Sequence, residues 1–99
     1  MHFVLSWDIH AANQQVHNKV TEELKLVIKP YAWVRPLNTF YIVKVQGQTQ
    51  WDSILDGLVK VNNANNKIVN LVMTPLMQGG NYNGLLSKDL WNSINGLTK

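Results

Sequence analysis

The chain has no cysteine, which excludes a disulfide scaffold, thiol catalysis and any cysteine-ligated metal site. Arginine occurs once, at Arg35, and no run of Lys or Arg marks a surface that tracks phosphates. No apolar run approaches the ~20 residues of a transmembrane helix, and no basic-then-apolar leader precedes the first apolar stretch. The expectation is a soluble cytoplasmic protein with no membrane partner. The glycine-rich stretch Gln78–Gly84 lacks the Gly-x-x-x-x-Gly-Lys-Ser/Thr pattern, and no Lys follows Gly84. It predicts a mobile connector rather than a phosphate cradle. No Ser-His-Asp or histidine-metal spacing stands out, and His2, His10 and His17 share no helical face.

What is present points to one domain over residues 1–99. The hydrophobic share of 45% with four tryptophans is enough for a single core. A chain this short buries a limited fraction of its surface, so dimerisation would be a natural supplement. The net charge of +3 and a pI near 9.3 permit contact with nucleic acid without arguing for it.

Residues 2–10 organise the rest. Phe3, Leu5, Trp7 and Ile9 fall on one side of an extended chain, and Val4, Ser6 and Asp8 on the other. That alternation predicts a central strand with one face in a core. Asn13 is the expected cap of a helix over about 13–29, with Val16, Val20, Leu24, Val27 and Ile28 at helical spacing and Pro30 as its stop. Two antiparallel strands, roughly 32–35 and 39–45, follow, joined by a turn or bend at Pro36.

Thr49 and Asp52 resemble a capping box. Behind them Trp51, Ile54, Leu55, Leu58 and Val59 mark an amphipathic helix, which the asparagine cluster from Asn62 is expected to end. Residues 67–74 read as the last strand, with Val69, Leu71 and Met73 toward the core. From Ser87, a short helix carries Leu90, Trp91, Ile94 and Leu97. The order β-α-β-β-α-β plus a C-terminal helix predicts a ferredoxin-like α/β (α+β) sandwich with both long helices on one face. Val4, Ser6, Asp8, Ile68, Asn70 and Val72 are then expected on an open sheet face that a partner could cover.

Ser6-Trp7-Asp8-Ile9 resembles the "YDI/YDL" end of the first strand in the CRISPR-associated Cas-two family. Tyr31-Ala-Trp33-Val-Arg-Pro36-Leu37-Asn-Thr39-Phe40-Tyr-Ile-Val43 is similar to a segment of small bacterial proteins labelled SinR-like, and Leu90-Trp91 to that group's C-terminal helix. The resemblance implies a ferredoxin-like homodimer in which the first-strand aspartates of two subunits face each other and hold a divalent metal. Asp8 is the one residue that carries over. The family's arginine cluster is missing.

Asp8 is therefore the candidate catalytic and metal residue, since two copies would offer a hard cation such as Mg²⁺ its oxygen ligands. Its bland alternative is a cap on a turn or on the first helix. His10 could carry protons beside it or simply be solvated. Arg35 and Lys44 are the candidate nucleic-acid contacts, against the simpler reading of a soluble surface. Trp33, Phe40 and Tyr41 are expected in core or dimer packing rather than base stacking, and Trp51 and Trp91 in the core. Two functions follow. One is a non-catalytic binding or scaffold protein linked to mobile-element defence. The other is a Mg²⁺-dependent endonuclease cutting RNA or DNA through Asp8 at a dimer interface.

Overall fold

The computed structural model describes residues 1–78 and 84–97. The elements run β1 (His2–Ile9), α1 (Gln14–Ile28), β2 (Trp33–Leu37), β3 (Phe40–Lys44), α2 (Gln48–Ala64), β4 (Val69–Met73) and α3 (Lys88–Leu97). The result is an α+β fold with one four-stranded antiparallel sheet in the order β2-β3-β1-β4. The connector expected at Gln78–Gly84 falls almost wholly on residues 79–83, outside the described ones. Among the described residues no helix is long and apolar enough to cross a membrane.

The period-2 pattern of β1 sets the main core. Phe3, Leu5, Trp7 and Ile9 pack with Tyr41, Val43, Val45 and Val69 from neighbouring strands. Val20, Leu24 and Ile28 of α1 and Ile54 and Leu58 of α2 close over them, so both long helices cover this one face. The Asn13 side chain caps α1 as expected, accepting a 2.9 Å hydrogen bond from the Val16 amide. α1 stops at Ile28, two residues before Pro30.

Several local expectations change. Pro36 lies inside β2 rather than at the turn. The pairing of β2 with β3 shifts register between Val34 and Leu37, and an irregular edge strand tolerates a residue with no N–H. The cap of α2 is Gly47, with no side-chain hydrogen bond, so Thr49 and Asp52 sit within the helix. There the Gln50 side chain reaches back to accept from the Gln46 amide at 2.8 Å. α2 also runs through Asn62 and Asn63 to Ala64, and its exit is set by Asn66 and Lys67 at positive φ. Asn62 still ties the helix to the sheet, because its side chain accepts from the Val69 amide at 2.9 Å. Val59 is exposed, and Val61 packs on the core in its place.

The largest difference concerns the sheet face expected to be open. α3 folds across its β2–β3 half, where Ile94 and Leu97 bury Ile42 against Val4, Val34, Phe40 and Trp91. The stripe of α3 predicts burial but not on which face, and the main core is already filled by α1 and α2. Ser87 caps this helix, accepting from the Leu90 amide at 3.3 Å. Ile68 also leaves the open face, because it precedes β4 and packs on the main core.

His2 is buried at the start of β1, 1% exposed. Burial, and secondarily the positive amino terminus, push its imidazole below the ordinary value of 6.5. The fold therefore holds His2 neutral, while the unfolded chain takes up a proton near 6.5. The unfolded state binds more protons in that window, so stability is full above it. It declines as pH falls from 6.5 toward the lowered folded value. Thermal melts from about pH 7.5 to about pH 5 should show this loss, and His2→Gln should flatten it. An unchanged slope in the variant would remove His2 as the cause.

Candidate functional site

The uncovered half of the sheet lies where β1 meets β4. Antiparallel pairing sets Ser6 opposite Val72 and Asp8 opposite Asn70. The ladder continues one step further, as the His10 amide donates to the Ile68 carbonyl at 2.8 Å. His10 thus follows Asp8 on the same face at period 2. Its Nε2 is 3.5 Å from Asp8 Oδ2 and 3.0 Å from Asn70 Nδ2.

These contacts define two states. With Nε2 unprotonated, Asn70 donates to it. With a proton on Nε2, that N–H points to the Asp8 carboxylate, and the Asn70 amide must flip to offer its oxygen. The carboxylate is open to water, with 73% of its side chain exposed. An exposed ion pair of this kind contributes little to stability. Beside it Val72 is 67% exposed, although it is a large apolar residue in mid-strand. Asp8, Asn70, Val72, Ser6 and Thr39 line a shallow cavity of about 340 Å³.

Arg35 and Lys44 do not share a surface. Lys44 pairs with His2 at the far end of the hairpin, on the face that carries Val4 and Ile42. Arg35 lies near the Asn38–Thr39 turn and lines a groove with His17 and Thr21 of α1, on the opposite face. Tyr41 is fully buried and stacks on Trp7, with centroids 4.4 Å apart. Phe40 joins the smaller cluster under α3, and Trp33 is 37% exposed at the sheet edge beside Tyr41. Trp51 packs on the main core and donates its Nε1–H to the Thr74 carbonyl at 3.0 Å.

Asn70 is expected on the open sheet face without a role of its own, and the groove that His17, Asn38 and Thr39 line is not marked in the sequence. An asparagine in mid-strand, where its type is disfavoured, was the available signal for the first. The groove had none, because its walls meet only through the fold. Among the described residues no three His, Asp or Glu side chains come together as a metal site. No protein-family model matches the chain, and no curated protein matches it as a relative.

Proposed function

We propose that this protein is a non-catalytic binding or scaffold protein of the Cas-two-like kind, linked to mobile-element defence. It acts as a homodimer joined through the strip of sheet around Val72. The observation that carries the dimer is the strip itself, an exposed valine flanked by a carboxylate, an imidazole and an amide. Such a patch is self-complementary. A two-fold axis passing near Val72 sets the Asp8–His10 pair of one copy against the same pair of the other. The sheet order β2-β3-β1-β4, with both long helices on one face, supports a ferredoxin-like topology for each subunit.

Two carboxylates meeting across such an axis repel unless they share a proton or a cation. With two chains, the two Asp8 carboxylates would offer oxygen ligands to a Mg²⁺ that keeps most of its waters. This proximity is the support for the nuclease alternative. The separation of Arg35 from Lys44 weighs against it, because a nucleic-acid backbone finds no continuous cationic track. We therefore favour binding over cleavage, with Asp8 as an interface residue.

Sedimentation tests the dimer. The wild type is expected to run as a dimer at high micromolar concentration, and Val72→Lys as the 11.3 kDa monomer. Adding Mg²⁺ should strengthen the wild-type dimer and leave Asp8→Asn unaffected. A wild type that stays monomeric, or a Val72→Lys variant that dimerises as well, would overturn the proposal.

A further inference from the structure

We propose that the groove between α1 and the β2–β3 turn binds a phosphomonoester through Arg35. The groove holds about 380 Å³ and is floored by apolar side chains of β1. His17 and Thr21 of α1 line one side, and Arg35, Asn38 and Thr39 of the β2–β3 hairpin the other.

The donors are uncommitted. The exposed Arg35 side chain lines the groove and has no hydrogen-bond or ion-pair partner among the described residues. Asn38 and Thr39 are likewise free there. The Nδ1 of His17 is buried with no partner among the described residues. Its imidazole thus brings an unpaired ring nitrogen to this side of the groove. Thr21 is different, since its hydroxyl already donates to the His17 carbonyl at 2.8 Å and offers only lone pairs.

Arg35, Asn38 and Thr39 bring donors of three side chains to one opening. They suit the three terminal oxygens of a phosphomonoester, with the guanidinium taking two of them. The groove is larger than a phosphate group, and its apolar floor accommodates an organic remainder. The proposal is independent of dimerisation through Val72, because binding is read on the chain whatever its oligomeric state.

Amide chemical-shift titrations with inorganic phosphate, a sugar phosphate and a nucleoside monophosphate test this. Inorganic phosphate is expected to move the resonances of His17, Asn38 and Thr39, and the organic phosphates to bind more tightly. Arg35→Gln should weaken binding about ten- to a hundredfold, the loss of a charge-assisted contact, and Arg35→Lys less. Shifts absent at millimolar phosphate, reproduced by chloride at matched ionic strength, or retained in Arg35→Gln would overturn the proposal. The sugar and nucleoside arms distinguish which class of organic phosphate the groove prefers.

Discussion

Trp7→Ala is expected to cost about 3–5 kcal/mol, the range for deleting a buried aromatic. Trp7 is 5% exposed at the centre of β1 and stacks on Tyr41, with ring planes 26° apart. Removing it loses that stacking and opens a void between the sheet and the helices above it. Domains of this size hold roughly 5–15 kcal/mol in total, so the variant is left close to unfolding. The melting midpoint should fall by roughly 15–30 °C in thermal scans. Tyr41→Phe in the same stack should move the other way. The Tyr41 hydroxyl is buried with no partner among the described residues, and deleting it removes a desolvation cost of about 1 kcal/mol. If Trp7→Ala melts like the wild type, β1 does not organise the core as described.

Gly57→Leu is expected to destabilise by about 3 kcal/mol, although leucine forms helices far better than glycine. The glycine sits where α2 meets α1. A Cβ there would stand 2.8 Å from Cγ1 of Val27, closer than carbon atoms approach. Valine in a helix has essentially one χ1 rotamer, so it cannot swing aside and the helices must part. Gly57→Ala sets the same clash against a propensity gain of about 1 kcal/mol, and a smaller net loss is expected. Combining Gly57→Ala with Val27→Ala should recover much of that loss. A coupling energy of about 0.5–3 kcal/mol in urea denaturation would identify the contact. Strict additivity would place the cost elsewhere.

The alternation of elements was legible because each long segment keeps one period throughout: two in residues 3–9, 3.6 in residues 16–28. Asn13 and Ser87 could be found as caps because a side chain three residues before an open amide is a purely local device. Thr49 misled for the same reason. A local pattern offered a cap, but the chain already turned at Gly47 and the helix began earlier. The asparagines after Val61 carry only weak helix-breaking preference, and α2 continues through two of them.

The site was legible only in part. Asp8 and His10 lie two apart on one strand, so their shared face followed from β1 alone. Asn70 joins them through the β1–β4 register, which no local pattern encodes. Arg35 and Lys44 looked alike as hairpin cations, yet strand alternation sends them to opposite faces. α3 decided how much of the sheet stays open, and an amphipathic stripe does not state where it docks.

The two outer strands bear on how this chain behaves when crowded. β2 carries Pro36 and a register shift, and at β4 the Asn62 side chain occupies the Val69 amide. Each margin of the sheet thus spoils the row of free N–H and C=O groups that another copy would need to add a strand. Adding a strand edge to edge is thereby hindered at both margins. Concentrated solutions of the folded protein should therefore be slow to form amyloid-like species.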